Sequence, residues 1–156
     1  MKCILSIILI LVSFCSRAEE IFPVGCSALV IHEEAMTLKA EKPTVVMIHN
    51  LSTIDIWITH PVTDPSASAG WSSRLQGGHW SALALDSQSF ELSCIESRPG
   101  HEQQIPCAGV LAACQWPSAT VPKGEASTYW AGEDMSLSEL TAHIGSRGFK
   151  LPAPAQ

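Results

Sequence analysis

The sequence predicts a mainly β fold: a small antiparallel β-sandwich or barrel with one short C-terminal helix, stabilised by disulfides. Three observations predict it. Short apolar or alternating segments recur between turn residues from Ser27 to Ala131, the pattern of an all-β domain. A good helix-start signature occurs once, Ser136-x-x-Glu139 ahead of Leu140 and Ile144. Past residue 18 the cysteines are Cys26, Cys94, Cys107 and Cys114, an even set that pairs as disulfides in an oxidising compartment.

Taken in order, Ser27 to Ile31 is short, apolar and partly β-branched, so it reads as a strand. Residues 33–43 are polar, with a lesser strand or a turn around Met36-Thr37-Leu38. Thr44 to His49 is a strong strand of β-branched and apolar residues. Asn50 to Thr53 is a turn. Ile54 to Thr59 alternates, with the three isoleucines on one face and Asp55, Trp57 and Thr59 on the other. Two strands about so short a turn suggest an antiparallel hairpin.

Pro61 to Gly70 is a loop of prolines and small residues. Trp71 to Leu75 is the next strand, Gln76 to Gly78 a turn, and His79 to Leu85 another strand. Ser89 to Glu96 alternates, with Phe90, Leu92 and Cys94 on one face. Arg98-Pro99-Gly100 is a turn, Ile105 to Trp116 a buried strand, Pro117 to Gly124 a loop, and Thr128 to Ala131 a closing strand. In the helix, Leu137, Leu140, Thr141 and Ile144 share a face. Gly145 and Gly148 end it, and Phe149 to Leu151 can dock.

Residues 1–18 read as a signal peptide. Met1-Lys2 leads an apolar run from Cys3 to Phe14, and Ser16 and Ala18 stand at −3 and −1 for cleavage before Glu19. The run falls short of the roughly 20 apolar residues of a membrane span. Phe14 occupies the position where a lipidation signal at Cys15 wants a small residue, so simple cleavage is preferred. That leaves a single β-rich domain over 19–151 and a flexible tail over 152–156, with no transmembrane helix expected after cleavage. The expected location is the periplasm or the exterior.

Loss of Lys2 and Arg17 takes the basic residues from 9 to 7 against 15 acidic ones, a net charge of −8. Such a domain repels phosphate backbones, which argues against a nucleic-acid partner. It also lacks the basic patch of a binder of anionic lipid.

Four cysteines allow three pairings. If Ser89–Glu96 and Ile105–Trp116 form a hairpin, Cys94 meets Cys107 and Cys26 is left with Cys114. Zinc is the competing use, but the paired C-x-x-C spacing of a knuckle is missing.

Chemistry-bearing motifs are sparse. His32, His49, His60, His79, His101 and His143 are scattered, with no H-E-x-x-H pair. His49, His60 and His79 all fall at predicted strand ends, so one rim can gather them as a metal site, the alternative reading. No histidine closely follows Cys114, which argues against blue copper. Gly70-Trp71-Ser72-Ser73-Arg74 breaks the G-x-S-x-G elbow at its last residue. Ser81, His79 and Asp86 compose a nominal triad that any serine-rich chain offers. No cofactor and no catalytic residue is expected. Trp57, Trp71, Trp80, Trp116 and Trp130 either fill a core or stack on ligands, and Trp57 stands on the polar face of its strand. Asn50-Leu51-Ser52 fits a glycosylation sequon.

Across Thr44 to Leu151 further segments stand out: Ile48-His49-Asn50, His60-Pro61-Val62, Pro65 to Trp71, His79 to Asp86, Ser93 to Gly100, Tyr129 to Gly132 and the helix after Met135. On these the chain resembles the enhanced-entry protein EnhB family. The resemblance implies an exported virulence-associated protein of intracellular Gram-negative bacteria that takes part in entering host cells. It implies no enzymatic activity and no functional residues to carry across.

The sequence thus predicts an exported binding or scaffolding protein for a protein or envelope component. Its candidate interaction surface is Trp71, His79 and Trp80 beside the 61–70 loop. An envelope hydrolase or a metal protein using His49, His60 and His79 is the alternative.

Overall fold

The computed structural model describes residues 22–32, 34–60, 71–85, 89–116, 121–122 and 130–151, with backbone alone at 71, 89–90 and 130–134. The predicted signal peptide, the 61–70 loop, most of the 117–124 loop and the 152–156 tail lie outside the described residues.

Among the described residues ten strands and two helices follow in order: β1 (Ser27–Leu29), β2 (Ala35–Lys39), β3 (Thr44–Asn50), β4 (Ile56–His60), β5 (Trp71–Leu75), β6 (Trp80–Leu85), β7 (Ser89–Glu96), β8 (Gln104–Ile105), α1 (Cys107–Val110), β9 (Leu111–Trp116), β10 (Trp130–Met135) and α2 (Leu137–Ser146). They form two open antiparallel sheets, ordered β1-β9-β3-β6-β10 and β2-β7-β4-β5, with β8 on β7. The fold is therefore a sandwich and not a closed barrel. Residues 27–39 give an edge strand to each sheet.

Two sequence expectations are corrected. β3 and β4 do not form a hairpin. β3 pairs with β6 and β9, and β4 pairs with β5 and β7. Both strands carry a full apolar row, Val46 and Ile48 on one and Ile56 and Ile58 on the other, and these rows share a single core. Placing the strands in opposite sheets lets the rows face each other. The segment Ile105 to Trp116 is not one strand either. Pro106 lacks the N–H a ladder needs, so β8 stops at Ile105, one helical turn follows, and β9 begins in the other sheet.

The alternation of each strand reports what covers its faces. Thr44 to Ile48 and all of β6 are buried without a break, as expected of strands covered on both sides. Val46, Ile48, Leu83, Leu85 and Leu111 face the second sheet. Val45, Met47, Ala82, Ala84, Cys114 and Trp116 face Leu140 and Ile144 of α2 and Phe149 just beyond it. Ala82 and Ala84 are small, which lets the helix approach the sheet.

α2 starts where the sequence says it should. The Ser136 hydroxyl accepts from the Glu139 amide at 3.3 Å, and the Glu139 carboxylate accepts from the Ser136 amide at 2.9 Å. Leu140 and Ile144, one turn apart, are fully buried. Each such burial contributes roughly 1.5–3 kcal/mol. Past the helix the Phe149 amide donates to the Ile144 carbonyl at 3.3 Å and Phe149 docks on the same core.

The Arg98–His101 turn is closed by the His101 amide on the Arg98 carbonyl at 2.8 Å. Gly100 sits at φ 76°, so Pro99 and Gly100 occupy the two positions a type II turn reserves for them.

Candidate functional site

The Ile56–His60 strand positions an outward-facing aromatic. Ile56 and Ile58 turn inward and are fully buried, so Trp57 and Thr59 turn outward by the period of two. Trp57 is half-buried. Its partners in register are Arg74 on β5 and Ile95 on β7, and Ile95 in turn pairs with Gln104 on β8. The adjacent outward row runs Ala35, Ser93, Thr59, Ser72 across β2, β7, β4 and β5. None of these eight side chains is buried. No described element packs over this face, whereas the corresponding face of the first sheet lies under α2.

Electrostatically these two rows are quiet, the exposed Lys39 and Glu91 lying further along β2 and β7. The Arg74 guanidinium pairs with the Asp55 carboxylate at the start of β4. The turn beside it is rigid. Asn50 is fully buried, and its Nδ2 donates to the Ile54 carbonyl at 2.8 Å and the Leu75 carbonyl at 3.0 Å. Its Oδ1 accepts from the Ser52 amide at 3.0 Å and the Ser52 hydroxyl at 2.6 Å. Both amide hydrogens of the sequon asparagine are thus committed. A Cβ at Gly77 would lie 2.8 Å from the Ser52 carbonyl oxygen, so glycine is what lets the 76–79 turn close on the 50–54 turn.

Of the expected surface of Trp71, His79 and Trp80, the described side chains are those of His79 and Trp80. Trp80 is 5% exposed and belongs to the core under α2. Its ring stacks on His49, with centroids 4.2 Å apart and planes 4° apart, and meets the edge of Phe22 at 6.4 Å. The cause is its position two residues before Ala82 on a strand buried on both faces. His79 is half-buried in the adjoining turn, its carbonyl accepting from the Asn50 amide at 3.0 Å. Trp71 opens β5 opposite His60 in the other sheet. Its side chain lies outside the described residues.

The three histidines of the alternative reading separate between the sheets. His49 Nε2 lies 3.2 Å from the Gly78 carbonyl oxygen. A carbonyl only accepts, so the proton sits on Nε2 and leaves Nδ1 bare and buried. Burial pushes the His49 pKa down, against a smaller upward pull from the Gly78 carbonyl. His60 ends β4 in the second sheet, with Nδ1 2.8 Å from the Glu91 carbonyl oxygen. Among the described residues no three His, Cys, Asp or Glu side chains gather in a metal-sized group. Of the nominal triad, Ser81 is fully buried in β6 and Asp86 lies outside the described residues.

Glu139 at the start of α2 has its pKa lowered, first by the Ser136 hydroxyl, then by the Ser136 amide, and least by the charge of His79. An open cleft of about 490 Å³ lies at the far end of the sandwich, lined by Lys39, Ala40, Glu41, Lys42, Thr44 and Gln115. Its charges are mixed and it stands apart from the aromatic face.

The disulfides are Cys26–Cys114 and Cys94–Cys107, the pairing the hairpin argument favoured. The hairpin itself is only the two-residue pairing of β7 with β8.

The sequence already held the signal for Trp57, in the alternation of Ile54 to Thr59. Its neighbours Ile95, Ser72 and Ser93 were not legible as one surface, because they come together only through the pairing of β7, β4 and β5.

Fold and site together define a disulfide-bonded antiparallel β-sandwich with one sheet face under a helix and the other bearing a central tryptophan. Such disulfides mark a protein that matures outside the reducing cytosol. No described helix is long and apolar enough to cross a membrane. Comparison with protein-family models, curated proteins and solved structures finds no match.

Proposed function

We propose that the chain is an exported binding module of the periplasm or cell exterior, without a catalytic centre of its own, that presents the outer face of β2-β7-β4-β5 to a component of its surroundings. The asymmetry of the two sheets carries this reading. The first sheet buries both faces, and the second leaves a row of Ile95, Trp57 and Arg74 outward. A half-buried indole held on a rigid strand offers contact area at little entropic cost. The resemblance to the EnhB family supports a setting at the bacterial envelope during entrance into host cells.

Site-specific photo-crosslinking tests the proposal. A crosslinker in place of Ser72, on the open face, is expected to capture an envelope component. One in place of Ala142, on the exposed side of α2, is expected to capture none. Equal capture from both positions, or none from position 72, defeats it.

A further inference from the structure

The geometry points to an uncharged glycan as the ligand of the open sheet face, an inference that rests on the binding-module reading above. The ring face of a sugar is apolar and its rim is hydroxyl. A surface that takes it needs a flat aromatic beside small hydroxyl-bearing or amide side chains. Trp57 supplies the aromatic, on the second sheet's outward row between Ile95 and Arg74. Ser93, Thr59 and Ser72 run side by side in the next row. They are spaced by the interstrand distance of about 4.8 Å. These side chains are short, so the floor beside the indole is low and a ring can lie against it with its hydroxyls over theirs.

Charge selects among glycans. The Arg74 guanidinium, the only ionised group in the two rows, is already paired with Asp55. The two rows around the indole therefore have no uncompensated cation to offer a uronate, sulfate or phosphate, with Lys39 at the far end of β2, and they match a neutral sugar. A protein partner is the poorer fit. Stable protein interfaces bury about 800 Å² per side around an apolar core. Here the large apolar side chains of the two rows are Trp57 and Ile95 alone, both already half-buried.

Isothermal titration of the disulfide-bonded protein with cellohexaose, maltohexaose, chitohexaose and, as the charged comparison, hexagalacturonate tests the inference. Saturable binding of at least one neutral hexamer is expected. Trp57→Ala should weaken it about tenfold or more. Ser72→Glu, which leaves the indole and the core in place, should weaken it as well. His49→Phe, on the other sheet, should not change it. Thermal melts of each variant separate lost binding from lost folding. Absence of binding by all three neutral hexamers, preference for the galacturonate, or undiminished binding by both face variants overturns the inference. Capture from position 72 without neutral-glycan binding overturns the glycan alone and spares the binding module. Absence of both overturns both.

Discussion

Asn50 and Leu75 are joined across the sandwich: the Asn50 Nδ2, at the end of β3 in the first sheet, donates to the Leu75 carbonyl at 3.0 Å in β5 of the second. With the bond to the Ile54 carbonyl and the two from Ser52, the carboxamide fixes the turn at which the chain changes sheets. Asn50→Ala strips these groups of partners. Each buried group left unpaired costs about 1–3 kcal/mol. A loss of about 3 kcal/mol or more is expected, read as a lower midpoint in urea with an unchanged slope. A loss below about 1 kcal/mol would show that water replaces the side chain.

The two disulfides should differ in worth. Cys26–Cys114 spans 88 positions and Cys94–Cys107 spans 13. Loop-closure entropy then gives about 4–5 and about 3 kcal/mol respectively. Replacing each pair by serine and comparing denaturation midpoints checks the ranking. Under mild reductant Cys26–Cys114 should open first, because Cys26 is half-buried while Cys94 and Cys107 are fully buried. Alkylation and peptide mapping over time would show the order.

His49 makes stability depend on pH in a defined direction. Its folded pKa lies below the ordinary 6.5, because burial disfavours the imidazolium. The unfolded chain therefore takes up the proton first. The stabilisation is complete above that ordinary value and is lost as pH falls from there through the lowered folded value. His49→Phe keeps a ring against Trp80 and removes the titration. Its urea midpoint should fall less between pH 7.5 and pH 5 than that of the wild type. Parallel curves would assign the dependence elsewhere.

α2 acts as the cover of the first sheet, and its start and its seat can be tested separately. Ser136→Ala should cost about 1 kcal/mol through the lost cap. Leu140→Ala should cost about 2–5 kcal/mol through lost burial and the cavity left behind. Both are read by chemical denaturation. The second should also expose Trp80 and Trp116, seen as a red shift of tryptophan emission at low denaturant.

Most strands could be read from residues, because alternation is a local signal. Ile54 to Thr59 declared both its inward and its outward face. Ser136 and Glu139 declared the helix start for the same reason. What escaped were facts of pairing. Asn50 to Thr53 has the composition of a hairpin turn, and nothing local says that the next strand joins the other sheet. Pro106 was a legible break inside Ile105 to Trp116, outweighed by the apolar run around it. Trp80 was the harder case. On a strand such as Trp80–Leu85, apolar apart from Ser81, the period of two nearly vanishes from the sequence, and with it any sign that the indole lies beneath a helix.

The arm over residues 27–39, which borders both sheets, bears on how the chain matures. Its anchor, Cys26, is made early, yet its partner Cys114 follows 88 residues later. Cys94 arrives sooner and is the first thiol downstream of Cys26. Order of synthesis thus offers Cys26 a non-native thiol before its native one, and correct pairing depends on the fold that lays β1 beside β9.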